Sequence, residues 1–204
     1  MKTVSSLTSK FAFRSLMTVE GEKDNLAEEK LCQALSKVHG LFVESPPRYD
    51  WVGKVRFKFE DIPQRGLTSL GLVRLNPKGM TEWTVVHELA HAWDASTGWK
   101  LSKQMAKYTH SYFPLRFLHQ WFPENRLFWY HVGSPPAPCG VDKNFNALED
   151  FAEAFTAFVF PDEAHRRAAK RGFSYEFDGF IHFHDTPRGK FIQQLITQKD
   201  PDGV

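Results

Sequence analysis

The chain has 204 residues, of which 42% are hydrophobic, 15% aromatic and 25% charged. This composition excludes collagen, coiled-coil rods and bulk disorder, and the length predicts one domain. The 26 basic and 24 acidic residues leave a formal net charge of +2, so we expect no nucleic acid as partner. Two cysteines cannot build a disulfide framework or a four-cysteine zinc ribbon. No stretch approaches the ~20 apolar residues of a membrane helix, which predicts a soluble chain without a membrane span.

The N-terminal segment is basic and rich in hydroxyl side chains, and it contains no acidic residue before Glu20. This composition is typical of an organelle transit peptide, and the apolar core of a secretory signal is missing. The alternative is a short flexible tail or a first strand. We therefore expect a flexible or targeting-like tail over 1–20 and a single domain over 21–204, and the compartment stays open.

Hydrophobic periodicity predicts a helix over 25–39, and alternation of apolar and charged residues predicts a half-buried strand over 55–59. A second strand is expected over 70–75, at a sheet edge where it could pair with an extended peptide. Capping residues and helical periodicity predict four further helices. They cover 81–95 with Thr81 as N-cap, 147–160, 162–171 with Asp162 as N-cap, and 187–198 with Thr186 as N-cap.

An aromatic-rich insert occupies residues 99–140. Pro114, Pro123 and the proline-rich run 135–138 prevent one long helix there. We expect short helices and loops, whose rings fill core or shape pockets for substrate side chains.

The strongest chemical signal is the H-E-x-x-H segment from His87 to His91, inside the predicted helix. The two histidines lie one turn apart, about 5.4 Å along the helix axis, so both imidazoles can bind one metal ion. Glu88 can reach a metal-bound water but not the metal itself. The surrounding helix is largely apolar, which predicts a dry site. The alternative is a helix with two incidental histidines.

A catalytic zinc site needs a third protein ligand, while its fourth position holds water. Glu149 and Glu153 lie at i and i+4 on a helix whose phenylalanines predict packing against a core. Two carboxylates on such a helix are costly unless they meet cations or a metal. One could ligate zinc while the other accepts an N–H from a ligand histidine. The rival third ligand is His110, and a solvated acidic face is the alternative without a metal.

These motifs resemble the gluzincin zinc metallopeptidases, in which H-E-x-x-H is followed by E-x-x-x-[D/E] on a separate helix. The closer likeness is to the catalytic domain of anthrax lethal factor and its relatives, carried by residues 87–94 and 146–155 and more weakly by 186–196. The resemblance implies an α+β zincin-like fold, with a small mixed sheet packed on an active-site helix and a second ligand helix, and one zinc ion per chain. The roles it implies are metal ligand for His87, His91 and Glu149, general base for Glu88, histidine-orienting carboxylate for Glu153, and structural acid for Asp94.

The chain departs from this family at one position. The family has a tyrosine seven residues before the ligand glutamate, where it helps to stabilise the transition state, and this chain has Asp142. We expect Tyr130, or His131 beside it, to take that role. Further candidates are Tyr108, His110, Tyr112, His182 and His184.

The resulting prediction is a monomeric zinc-dependent metalloendopeptidase that hydrolyses peptide bonds through a zinc-bound water activated by Glu88. Its partner would be a protein or peptide substrate, and the resemblance suggests a toxin or effector. A second likeness, in residues 91–93 and 110–113, is to SprT-type proteases, and it implies His110 as the third ligand. Those proteins commonly have a cysteine-rich zinc ribbon and a basic surface that binds DNA. The two cysteines and the net charge of +2 in this chain support neither feature. A third hypothesis is a catalytically impaired zincin that acts as a binding module, although an intact Glu88 argues against it.

Overall fold

The computed structural model describes residues 19–21, 25–42, 51–69, 71–109, 146–170 and 182–197. This part of the chain is a mixed α+β structure with a four-stranded sheet and six α-helices. The strands are β1 Val19–Glu20, β2 Arg56–Phe59, β3 Gly66–Ser69 and β4 Leu72–Leu75. The helices are α1 Asn25–Leu41, α2 Glu82–Ser96, α3 Lys100–Tyr108, α4 Ala147–Val159, α5 Pro161–Lys170 and α6 Pro187–Thr197.

The chain divides into two compact units, Met1–Ser96 and Thr97–Val204. The first contains the sheet, α1 and α2, and the second contains α3 to α6. The prediction of a tail over 1–20 and a single domain over 21–204 stays a prediction. None of the helices in the described ranges is long and apolar enough to cross a membrane.

The sheet of the first unit has the strand order β1-β2-β4-β3. β2 runs parallel to β1 and β4, whereas β3 runs antiparallel to β4. Phe57 pairs with Val73 and Phe59 with Leu75, which places these four buried side chains on one face, because successive residues of a strand point to opposite sides. The strand predicted over 55–59 is therefore confirmed.

The strand predicted over 70–75 is confirmed as β4, but the prediction that it lies at a sheet edge is wrong. β4 is hydrogen-bonded to β2 on one side and to β3 on the other, so both sides of its backbone are already paired. β3, which the sequence pattern did not predict, lies outside β4 in the described sheet. Its residues alternate between half-buried and exposed.

Helix α2 lies against the sheet through β3 and β4, and α1 packs against α2. The predicted N-cap is confirmed, since Oγ1 of Thr81 accepts a hydrogen bond from the backbone N–H of Thr84 at 3.2 Å. The indole rings of Trp93 on α2 and Trp51 stack at a centroid distance of 4.9 Å, and Phe42 meets Trp93 edge-on at 5.7 Å. These rings hold the C-terminal half of α2 against the rest of the first unit.

In the second unit α3 and α6 pack against α4 and against each other. The predicted cap of α6 is confirmed, because Oγ1 of Thr186 accepts from the N–H of Gly189 at 3.1 Å. The prediction that Asp162 caps α5 is wrong by two residues, since the helix begins at Pro161 and Phe160 precedes it. A proline fits the first helical position, where its missing N–H has no intrahelical partner to lose.

Candidate metal centre

Helix α2 presents His87 and His91 one turn apart. Both residues are half-buried, and their Nε2 atoms lie 3.2 Å from each other. The ring centroids are 4.8 Å apart with an interplanar angle of 82°. At this distance either one ring donates a proton to the other or both nitrogens face a common cation.

Glu88 is buried, with 8% of its surface exposed. The hydroxyl of Thr68 on β3 lies 2.7 Å from Oε2 of the Glu88 carboxylate and 2.9 Å from the Glu88 backbone oxygen. A hydroxyl has one proton, and the charged carboxylate at the shorter distance is the stronger acceptor. The carboxylate is therefore held by a hydrogen bond from the neighbouring strand.

Glu149 lies in the first turn of α4, in the second unit. Asn146 caps this helix, because its Oδ1 accepts from the backbone N–H groups of Leu148 at 2.8 Å and of Glu149 at 3.3 Å. The next residue, Asp150, is completely buried and forms a two-bond ion pair with Arg188 at the start of α6. The backbone that carries Glu149 is thus fixed by a cap on one side and an ion pair on the other.

In the described part of the chain, His87, His91 and Glu149 form a group that could hold a metal ion. Each offers one ligand atom, and these atoms all lie within 4.8 Å of one another. These are the three residues that the family resemblance implies as ligands.

The donor set of this group fits zinc. Zn–N bonds are ~2.0–2.1 Å long, so two nitrogens on a tetrahedral zinc lie about 3.3 Å apart. The Nε2 atoms of His87 and His91 are 3.2 Å apart. Two imidazoles with one carboxylate are also a donor set of catalytic zinc sites, which use three protein ligands.

The structure places two other predicted residues in buried positions. Glu153, one turn after Glu149 on α4, is 7% exposed, and Asp94, one turn after the H-E-x-x-H segment on α2, is 0% exposed. The role of Asp94 as a structural acid stays a prediction. The role of Glu153 as partner of a ligand histidine stays a prediction.

Several candidates lie outside the described residues. They are Tyr130, the predicted transition-state donor, its neighbour His131, the rival ligand His110, and Tyr112. Among the described alternatives, Tyr108 packs against Phe191 at a centroid distance of 5.5 Å and His184 against Phe158 at 4.3 Å. His182 is exposed.

Sequence reasoning missed Thr68 and Arg188. Thr68 belongs to the strand Gly-Leu-Thr-Ser, which has no apolar alternation, so nothing in its own segment linked it to Glu88. A weak signal existed for Arg188, because Asp150 lies on a core-packed helix, and a buried acid requires a cation or hydrogen-bond donors. The identity of that cation follows only from the packing of α6 against α4.

Comparison of the chain with protein-family models, with curated proteins and with solved structures finds no match in any of the three.

Proposed function

We propose that this chain is a zinc-dependent metallopeptidase of the gluzincin type, with a zincin-like fold. The observation that carries the proposal is on α2, where two imidazole nitrogens lie 3.2 Å apart and the residue after the first histidine is a buried glutamate held by a hydroxyl. A purely structural zinc site is closed and has no use for a fixed carboxylate beside its ligands. The His-His-Glu group supports the same function.

His87, His91 and Glu149 would hold the zinc ion. When bound, zinc would act as a Lewis acid and lower the pKa of a coordinated water from its value in bulk solvent to about 7. Glu88 acts as the general base that accepts a proton from the attacking water and then delivers it to the leaving peptide nitrogen. Tyr130 is our candidate donor to the developing oxyanion.

The test compares the purified wild type with Glu88→Gln, which keeps the shape of the side chain but cannot accept the proton. We expect one zinc per chain in both proteins, measured by elemental analysis. Cleavage of a peptide library should fall by about 10²–10⁴-fold in the variant, the usual contribution of a general base.

The control variant is His91→Ala, which should lose zinc and activity together. Equal cleavage rates for Glu88→Gln and wild type would contradict the assigned base. Stoichiometric zinc in a wild type that cleaves no peptide would contradict the peptidase function, leave the metal site intact and favour the binding-module hypothesis.

A further inference from the structure

Strand β3 contacts the general base through two residues on one face of the strand. Gly66 and Thr68 alternate with the exposed Leu67, and they pair with the buried Leu75 and Val73 of β4, so they face the side of the sheet on which α2 packs. We propose that β3 positions Glu88 for proton transfer, with Thr68 as the anchor of its carboxylate and Gly66 as the gap that admits it. This inference rests on the proposed function.

Thr68 acts on the orientation of the carboxylate. A glutamate side chain has three rotatable bonds, and proton transfer requires its acceptor oxygen within hydrogen-bond reach of the reacting proton. The 2.7 Å hydrogen bond from Thr68 to Oε2 restrains these rotations and so fixes the orientation of the carboxylate. Thr68 does not touch the reacting atoms and is a positioning residue.

Gly66 has no side chain and therefore leaves room for the side chain of Glu88. A Cβ atom at position 66 would lie 2.6 Å from Cγ of Glu88, 2.9 Å from its Oε1 and 2.9 Å from Cγ2 of Thr84. These separations are well below the ~3.5–4.0 Å of an ordinary contact between carbon atoms. A larger residue at position 66 therefore requires the side chains of Glu88 and Thr84 to shift from their observed places.

The first experiment compares Thr68→Val, which removes the hydroxyl at nearly constant shape, with Thr68→Ser, which keeps it. A hydrogen bond to a charged group contributes enough for a roughly 10- to 100-fold fall in kcat for Thr68→Val. KM should change less than about twofold and zinc content should be unchanged, because neither substrate binding nor the ligands are altered. Thr68→Ser should restore most of kcat.

The second experiment uses a matched pair of glycine variants. Gly66→Ala should lower kcat at unchanged zinc content, since the nearest atom to the added Cβ would be Cγ of Glu88 at 2.6 Å. The control is Gly79→Ala, where a Cβ would make an ordinary 3.6 Å contact with Arg65, and its kcat should equal that of wild type.

A third experiment tests the Thr68–Glu88 contact by measuring stability instead of catalysis. In the metal-free protein, Thr68→Val should lower the urea midpoint of unfolding, and the same substitution should have a smaller effect in a Glu88→Ala background. Equal effects in both backgrounds would overturn the contact.

The outcomes separate the two proposals. An inactive wild type overturns the peptidase function and this inference together, whatever the urea data show. If the wild type is active, the positioning role alone is overturned when Thr68→Val keeps the wild-type kcat, loses zinc or changes only in KM. It is also overturned when Thr68→Ser does not restore kcat.

Discussion

Asp150 and Arg188 form a completely buried ion pair with two hydrogen bonds, from Nε to Oδ1 at 2.7 Å and from Nη2 to Oδ2 at 2.8 Å. Removing one partner leaves an uncompensated charge in the interior, which is far more costly than the net contribution of the pair. The pair also adjoins Glu149, so its loss would disturb the backbone of a proposed ligand.

At the residue scale we therefore expect Asp150→Ala to lower the free energy of unfolding by about 3–5 kcal/mol. The double variant Asp150→Leu/Arg188→Met should lose less, because no buried charge is left alone. Urea denaturation measures both. The exposed pair Lys78–Asp61, with side chains 76% and 74% exposed, is the control: Asp61→Asn should change stability by at most about 1 kcal/mol. Similar losses at both sites would show that the burial of the Asp150–Arg188 pair does not determine the cost of breaking it.

At the element scale, the first turn of α4 contains both a capped backbone N–H and a proposed zinc ligand. Asn146 caps the backbone N–H of Glu149 itself, so the cap and the proposed ligand belong to the same turn. An N-cap contributes typically ~1 kcal/mol to its helix. Fraying of this turn would spread Glu149 over several positions and so weaken the proposed zinc site.

We expect Asn146→Ala to weaken zinc binding about fivefold, which corresponds to roughly 1 kcal/mol. Asn146→Asp, which keeps the capping oxygen, should bind zinc within about twofold of wild type. Competition with a chromophoric chelator measures both affinities. An unchanged affinity in the alanine variant would show that the first turn of α4 does not hold the ligand.

At the scale of the whole molecule, zinc should stabilise the folded chain, since a ligand that binds only the native state shifts the unfolding equilibrium. Zinc at ~100 times its Kd contributes about 2.7 kcal/mol, which corresponds to about 5–10 °C in the unfolding temperature of a chain this size. Calorimetry of the metal-free protein with and without zinc measures the shift. His91→Ala should show none, and an equal shift in that variant would place the zinc elsewhere.

Much of the secondary structure was predictable from local patterns. The helix predicted over 25–39 is confirmed as α1, which extends two residues farther, and capping residues marked the start of α2 and α6. β3 was missed because a segment of Gly, Leu, Thr and Ser has no strand pattern of its own. Its extended form depends on pairing with β4, and this pairing also makes β4 an inner strand rather than the predicted edge.

The candidate metal centre was likewise predictable from the sequence only in part. Two histidines and a glutamate within one turn of helix are brought together by the 3.6-residue period alone, so the sequence was sufficient to predict this part of the site. Glu149 could be proposed from the sequence, but so could His110, because a ligand on a distant segment has no fixed separation from α2 until the chain folds. Thr68, Gly66 and Arg188 emerged only from the tertiary structure. Their roles depend on contacts between segments 18 to 38 residues apart, and such contacts follow from packing and strand pairing rather than from any local period.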